Sequence, residues 1–248
     1  MKITLKKNKS LDLKVPDFSC DNNPLGEHLN DYDMLSHLNC YGFTGLIGKP
    51  GSGKTSIVIS WLTGKKKNKV FRKVFDHILL VMPESSRKSL KKNIFEKHDP
   101  DKMFEELTSN SINTIYDMLL QSSKENEKTL LILDDVGASL KRSDIQTMLK
   151  RIIFNRRHLK VHIVLMLQSF TTAPLVIRKL YTNVIMFKPA KKEFETLFEE
   201  LFETKKDNAI DIMNFVYDKP HQYLFLNVDS QRMFKGFDEL IFNKDIEN

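Results

Sequence analysis

Two kinds of hydrophobic pattern alternate along this chain. Short, continuous apolar runs bounded by polar residues are typical of buried strands. Such runs occur at "YGFTGLIG" (41–48), "DHILLVMP" (76–83), "KTLLILDD" (128–135), "VHIVLMLQ" (161–168) and "NVIMFK" (183–188). Helices are predicted between them at "KTSIVISWL" (54–62), "PDKMFEELTS" (100–109), "INTIYDMLLQSS" (112–123) and "SDIQTMLKRIIF" (143–154). Strands that alternate with helices predict an α/β fold, with a mostly parallel sheet and helices on both of its faces.

Three local patterns refine this prediction. Apolar residues at 145, 148, 149, 152 and 153 follow helical spacing, and Ser143 with Gln146 predicts a capping box at the start of that helix. Alternating charges in "AKKEFETLFEELFE" (190–203) indicate an exposed helix face. The last pattern, "QYLFLNVDSQRMFKGF" (222–237), predicts a C-terminal β-hairpin.

Length and composition favour one domain. A chain of 248 residues with 41% hydrophobic content can bury a substantial core. We expect a short N-terminal β extension over 1–40 that packs on a main domain over 41–248. The first residues, "MKITLKKNKSLDLKV", alternate polar and apolar positions, unlike a signal peptide. The apolar runs fall short of the ~20 residues of a membrane-spanning helix, and Cys20 and Cys40 form no disulfide framework, which indicates a reducing compartment.

The turn between the first strand and the first helix has a composition suited to phosphate. It fits the P-loop pattern of Gly, four residues, Gly, Lys and Ser or Thr, in the strand–turn–helix setting that this motif requires. Glycines allow the backbone N–H groups to turn inward around phosphate oxygens, and the helix N-terminus adds partial positive charge. Lys54 is expected to reach the β- and γ-phosphates, and the Thr55 hydroxyl to complete the coordination of Mg²⁺. The expected nucleotide contacts are Gly48, Lys49, Pro50, Gly51, Ser52, Gly53, Lys54, Thr55 and Ser56.

Two acids and an amide end the next buried strands. Asp134 closes "TLLILDD", where a carboxylate can orient the Mg²⁺ held through Thr55. Asp135 is suited to polarise an attacking water, although it could instead cap the following turn. Gln168 closes "VHIVLMLQ" and can hydrogen-bond both the γ-phosphate and the attacking water, unless it only ends the strand. Together with the P-loop, this arrangement predicts a Mg²⁺-dependent ATPase.

The basic residues occur in clusters. The net charge is +7, and the clusters are "GKKKNKVFRK" (64–73), "RKSLKK" (87–92), "LKR" (140–142) and "LKRIIFNRRHLK" (149–160). Such clusters suit a polyanion such as nucleic acid, although each one alone is more often a solvated face or a helix end.

Several motifs, in this order and spacing, resemble one superfamily. The motifs are "GKPGSGKTS", "LLILDDV", "NRRHLKVHIVLMLQS" and "APLVIRKLYTNVIMFK", and they resemble the FtsK–HerA superfamily of DNA-pumping ATPases. Within it they are most similar to the genome-packaging ATPases of poxviruses, other large eukaryotic DNA viruses and virophages. The resemblance covers roughly residues 40 to 190 and is compatible with the C-terminal hairpin. It implies a RecA-like (ASCE) P-loop NTPase fold and an ATP-driven translocase that packages double-stranded viral DNA.

The resemblance also assigns residues. It implies that Gln168 is the sensor, that Asp134 is linked to the metal, and that Asp135 stands where many relatives carry a catalytic Glu. Because Asp is one methylene shorter than Glu, this departure leaves the position of the attacking water open. The implied place of action is the host cytoplasm or the virion.

Relatives of this kind act as rings, usually hexamers, in which a neighbour supplies an arginine to the ATP. The resemblance therefore implies a homo-oligomeric ring, hexameric or pentameric, with Arg157 as the first candidate for that arginine, ahead of Arg178 and Arg156. Helix-dipole compensation and a surface ion pair are the alternatives for these residues. The capsid or a portal-type protein is a possible further partner. DNA would be bound by the loops after the strands that end at Asp134 and Gln168. The first candidates for this contact are Lys141 and Arg142, followed by Arg87, Lys88, Lys91 and Lys92.

Other functions remain open from the sequence. A helicase or another nucleic-acid ATPase shares this core and would unwind short duplexes. A small-molecule kinase would phosphorylate a small acceptor and would normally carry an arginine-rich lid, so the paired acids and Gln168 argue against it. A nucleotide-gated DNA-binding scaffold is the least enzymatic alternative.

Overall fold

The computed structural model describes residues 38, 40–64, 70–88, 94–202, 206–236 and 238–241, and this part of the chain contains nine strands, seven α-helices and three short 3₁₀ helices. The strands are β1 Phe43–Ile47, β2 His77–Val81, β3 Met103–Phe104, β4 Thr129–Asp134, β5 Val161–Leu167, β6 Asn183–Phe187, β7 Tyr223–Asn227, β8 Arg232–Lys235 and β9 Asp238–Glu239. The helices are α1 Lys54–Thr63, α2 Glu84–Lys88, α3 Ser109–Lys124, α4 Ser143–Phe154, α5 Leu175–Arg178, α6 Lys191–Leu201 and α7 Lys206–Val216.

All nine strands join one sheet in the order β3-β2-β4-β5-β1-β6-β7-β8-β9. The pairs from β3 to β6 are parallel, and β7, β8 and β9 extend the sheet in antiparallel pairs. The strand before the glycine-rich turn, β1, lies at the centre between β5 and β6. Since ligands of open α/β sheets bind beyond the carboxyl ends of the strands, this order places the turn beside the ends of β4 and β5.

Both faces of the sheet are covered. Along β5, successive apolar side chains alternate between two hydrophobic layers, as the two-residue period of a strand requires. Leu165 belongs to the layer that α3, α4, α6 and α7 cover, whereas Val164 and Met166 belong to the layer that includes Val58 and Trp61 of α1. A strand that is buried on both faces reads as a continuous apolar run, and the predicted mostly parallel sheet with helices on both faces is confirmed.

Two local predictions are wrong. The segment 100–109 is not an α-helix, because only Pro100–Lys102 form a short 3₁₀ helix and Met103 and Phe104 form the edge strand β3 beside β2. Ser143 and Gln146 form no capping box, since Arg142 is the N-cap residue without a side-chain cap, and Gln146 donates to the Leu140 carbonyl at 2.8 Å. At Met103 and Phe104, pairing with β2 thus outweighs local helix propensity.

The predicted helix with an exposed charged face is confirmed by α6. Its apolar side chains Phe194, Leu197, Phe198 and Leu201 are buried, so the charge pattern marks only the other side of an amphipathic helix. The predicted hairpin is confirmed by β7 and β8. The expected N-terminal extension lies outside the described residues except for Leu38 and Cys40, which are buried. In the part of the chain that is described, none of the helices has the length and apolar character that a bilayer crossing needs.

Candidate nucleotide-binding site

The glycine-rich turn leaves β1 and enters α1 with backbone angles that need glycine. Gly51 has φ of 74° and Gly53 has φ of 115°, values in the left-handed region that side chains disfavour. Gly48 is required for space, because a Cβ there would lie 2.6 Å from Ser52 Oγ and 2.9 Å from Phe187 Cβ. The Gly48 N–H also donates to the Leu167 carbonyl at 3.0 Å. The turn is therefore joined directly to the end of β5.

Lys54, the first residue of α1, folds its side chain back over the turn. Its Nζ donates to the carbonyl oxygens of Gly48 at 2.5 Å and Lys49 at 3.3 Å. Burial lowers the pKa of Lys54, and the negative charges of Asp134 and Asp135 oppose that shift. The ammonium group thus lies where the turn, the end of β4 and the start of the next loop converge.

Asp134 ends β4 and is the carboxylate of this group. Burial raises its pKa to about 6, against the opposing effect of Lys54 and a hydrogen bond from the Asp135 N–H. A carboxylate that is costly to ionise gains from a nearby cation. Asp134 is therefore prepared for a positively charged ligand, in addition to Lys54.

Asp135 and Gln168 lie on opposite sides of a cleft between the loops that follow β4 and β5. Both side chains are exposed, and the cleft of about 380 Å³ is also lined by Lys141, Thr171 and Thr172. Asp135 has φ of 55°, which turns the chain sharply at the end of β4. The structure thus brings together the two residues for which the sequence left alternative interpretations.

The same two loops are packed closely at Gly137. A Cβ there would lie 2.7 Å from Cγ2 of Thr172, closer than two carbon atoms can approach. The loop after β4 therefore cannot shift toward the loop after β5 without displacing it.

The residues present fit a nucleoside triphosphate and Mg²⁺. Ser52 Oγ is buried within the turn without a hydrogen-bond partner, so a phosphate oxygen would satisfy a donor that is otherwise costly to bury. Thr55 and Ser56 form the first turn of α1, whose N-terminus favours anions. The Thr55 hydroxyl and the Asp134 carboxylate are oxygen donors, the ligand type that Mg²⁺ prefers beside phosphates.

The three candidate arginines lie in different surroundings. Arg156 donates from Nε to the Tyr41 carbonyl at 2.8 Å and from Nη1 to the Ile153 carbonyl at 3.1 Å. Arg157 is exposed in the turn before β5, at the amino-terminal edge of the sheet and opposite the P-loop. Burial raises the pKa of Asp229, and Arg156 and Arg157 oppose that shift.

Arg178 is bound within its own subunit. Its guanidinium forms an ion pair with Glu200, donates to the Ala173 carbonyl at 2.8 Å and lies 5.1 Å above the ring of Phe170. The Phe170 N–H in turn donates to the carboxylate of Glu193. Arg178 therefore fastens the loop after β5 to α6.

The candidate DNA contacts also differ. Lys141 is exposed and lines the cleft with Asp135. Arg142 is tied to Asp144 at 2.9 Å and to Ser109 Oγ at 2.8 Å. In the second cluster, Arg87 lies 3.3 Å from Met103 Sδ and 3.6 Å from Glu105, and Lys88 pairs with Glu84 at 2.8 Å. Lys91 and Lys92 lie outside the described residues.

Sequence reasoning missed three residues beside this site. Glu193 and Glu200 are seven positions apart, which is two turns of α6. This spacing could have indicated that both carboxylates share one side of the helix. His221 donates from Nδ1 to the Ser52 carbonyl at 3.1 Å, and no short-range pattern pairs residues so distant in the chain.

A phosphate-binding turn after the central strand, with a half-buried acid at the end of another strand of the same parallel array, defines a P-loop nucleoside triphosphatase. Residues 32–233 match the family model described as Poxvirus A32 protein, and the chain belongs to this family. The resemblance to poxvirus genome-packaging ATPases is confirmed. Comparison with curated protein sequences gives no significant match.

Solved structures of packaging enzymes share the fold. One is the genome packaging NTPase B204 from Sulfolobus turreted icosahedral virus 2 in complex with ATP-gammaS, with a TM-score of 0.57 and 15% identity over 82% of this chain and 100% of that chain. Another is B204, the DNA-packaging ATPase from Sulfolobus Turreted Icosahedral Virus, with a TM-score of 0.58 and 15% identity over 78% of this chain and 95% of that chain. At this identity the likeness establishes the P-loop NTPase fold.

Proposed function

We propose that this protein is a Mg²⁺-dependent ATPase that drives double-stranded DNA into a viral capsid. The observation that carries the proposal is the glycine-rich turn after the central strand β1, with Lys54 folded back over it at 2.5 Å from the Gly48 carbonyl and Asp134 at the end of β4. Membership of the Poxvirus A32 protein family supports the viral role, as does the shared fold with packaging NTPases.

The residues divide the chemistry among them. The backbone N–H groups of the turn and Lys54 would bind the β- and γ-phosphates, and Thr55 and Asp134 would hold Mg²⁺, which would neutralise charge on the phosphates. Asp135 accepts a proton from the attacking water, and the Gln168 amide orients that water and contacts the γ-phosphate. Both side chains border one cleft, which supports their assignment to the same step.

The larger assembly is part of the proposal. Arg157 lies on the edge of the sheet opposite the P-loop, so within one subunit it is remote from the nucleotide. A homo-oligomeric ring, hexameric or pentameric, would bring Arg157 of one subunit to the ATP of the next. Lys141 would contact DNA from the cleft. The ring would dock on a capsid or portal-type protein. It would act in the host cytoplasm or the virion.

The test is ATP hydrolysis measured with and without Mg²⁺ and duplex DNA. Lys54→Ala is expected to weaken nucleotide binding or turnover severely. Asp135→Asn should bind ATP normally and turn over slowly, because Asn keeps the shape and tolerates positive φ but cannot accept the proton. Normal hydrolysis by Asp135→Asn would remove Asp135 from the catalytic role.

A translocation assay separates the alternatives. Processive movement on intact duplex DNA supports a packaging motor, whereas strand separation limited to short duplexes indicates a helicase. Transfer of phosphate to a small acceptor in place of water would indicate a kinase.

A further inference from the structure

A second cleft adjoins the P-loop on the side away from Asp134 and Gln168. Its volume is about 460 Å³, and it lies between the first half of the P-loop and the turn 217–222, which connects α7 to β7. Pro50, Phe187 and Pro220 supply apolar lining, and Lys188 and Lys219 supply positive charge. This composition suits a planar base joined to an anionic chain of phosphates.

The sheet order determines which end of a nucleotide reaches this cleft. The γ-phosphate must face Asp135 and Gln168, which follow β4 and β5, on one side of β1. The nucleoside end must then extend to the other side of β1, where β6 and the turn 217–222 lie. The cleft is therefore in the direction that the base takes when the phosphates occupy the P-loop.

Three contacts fix the turn 217–222 in place. The Tyr217 hydroxyl donates to the Met186 carbonyl of β6 at 2.9 Å. Asp218 pairs with Lys235 of β8 at 2.8 Å. His221 donates to the Ser52 carbonyl of the P-loop at 3.1 Å. One wall of the cleft is thus anchored to the sheet and to the phosphate-binding turn.

The His221 contact sets the hydrogen-bonding character of its other ring nitrogen. A carbonyl oxygen can only accept, so the proton of the neutral ring lies on Nδ1, and Nε2 is an acceptor. An acceptor in a base-binding cleft favours the amino group at position 6 of adenine over the oxygen at that position of guanine. We infer that the cleft binds the base of the nucleotide and that His221 selects adenine over guanine, an inference that rests on the proposed ATPase function.

Competition binding tests this inference. ATP, GTP and inorganic tripolyphosphate would each displace a fluorescent ATP analogue from the full-length protein in the presence of Mg²⁺. The wild type should prefer ATP to GTP by about tenfold, the size of one hydrogen bond gained or lost at a partly exposed site. His221→Asn can keep the bond to Ser52 and tolerates the positive φ of 61°, but it lacks an acceptor at the Nε2 position. Its preference should fall to within about threefold, while tripolyphosphate binds as before.

The controls separate this inference from the ATPase proposal. His158→Asn changes an exposed histidine in the turn before β5, at the opposite edge of the sheet, and should keep the wild-type preference. An unchanged ATP-to-GTP ratio in His221→Asn and His221→Ala, or no preference in the wild type, overturns the role of His221. Failure of the wild type to bind ATP and tripolyphosphate at all, or wild-type affinity in Lys54→Ala, would instead overturn the nucleotide-binding proposal.

Discussion

Arg178 and Glu200 form a two-pronged ion pair between the end of α5 and α6, with Nε of the arginine 2.6 Å from Oε2 of the glutamate. The side chains are only 12% and 17% exposed. In this mostly buried pair, two parallel N–H···O hydrogen bonds fix the orientation of the guanidinium and the carboxylate in addition to the attraction between their charges. This ion pair favours a structural role for Arg178 within its own subunit over a role as the arginine that acts on the ATP of a neighbouring subunit.

Arg178→Ala should therefore lower the free energy of unfolding by about 2–4 kcal/mol, because it leaves the Glu200 carboxylate shielded from water without its partner. Chemical denaturation of the variant measures this loss. The exposed pair of Lys88 and Glu84 is the matched control, and Lys88→Ala should change stability by less than about 0.5 kcal/mol. A stable Arg178→Ala variant that binds ATP but cannot hydrolyse it would restore Arg178 as the arginine acting between subunits.

Arg157→Ala should show the opposite combination of effects. The variant is expected to keep its ATP affinity, to lose only a little stability through the missing attraction to Asp229, and to lose about 10³- to 10⁵-fold in turnover, because an arginine supplied from outside stabilises charge that develops only in the transition state. Mixing Arg157→Ala subunits with Lys54→Ala subunits should restore part of the activity at interfaces where both residues are intact. Arg151→Ala, which removes an exposed arginine 4.5 Å above the ring of Tyr116, should keep its turnover. No recovery in rings shown to be mixed would assign Arg157 to its own subunit.

Asp134→Asn should abolish ATPase activity and raise the free energy of unfolding of the nucleotide-free protein. Burial raises the pKa of Asp134 from 3.8 to about 6, so the folded protein resists ionisation of this group more than the unfolded chain does. The resulting cost to stability is small at pH 4, grows as the pH rises toward 6, and levels off above about 7 at roughly 2–3 kcal/mol. The nucleotide-free Asn variant should thus be more stable than the wild type at pH 8, by less at pH 5, and inactive as an ATPase. Equal differences in unfolding free energy at pH 5 and pH 8 would contradict the raised pKa.

Lys141 should contribute more to DNA binding than Arg142, because Arg142 already binds Asp144 and Ser109 whereas Lys141 faces an open cleft. If Lys141 contacts one phosphate, Lys141→Ala should reduce the slope of log affinity against log salt concentration by about 0.9. Titrations of duplex DNA at several salt concentrations measure this slope. Lys124→Ala, at the exposed end of α3 on the other edge of the sheet, is the control. A slope that changes only in Arg142→Ala would reverse the two assignments.

The site's local chemistry was readable from sequence because it depends on neighbouring residues. The P-loop, Asp134 and the strands that carry them follow from glycine spacing and uninterrupted apolar runs, since a doubly covered sheet leaves no polar alternation in its central strands. Met103 and Phe104 were misassigned because a two-residue edge strand has no periodicity of its own. The ties of Arg178 to Glu200 and of His221 to Ser52 join residues 22 and 169 positions apart, and only the fold brings them together. The predicted division at residue 40 and the ring itself stay predictions.

The close packing of Gly137 against Thr172 lets one loop of the candidate catalytic cleft displace the other when it shifts toward it. Lys141, the proposed DNA contact, follows Gly137 by four residues, and Gln168, the proposed γ-phosphate contact, precedes Thr172 by four residues in the other loop. If DNA bound at Lys141 pushes the first loop toward the second, the second must move with it. Such coupling is thermodynamically reciprocal, so whatever factor DNA adds to the affinity for ATP, ATP adds to the affinity for DNA. A motor with this coupling would bind DNA most tightly in the nucleotide state that DNA binding itself favours.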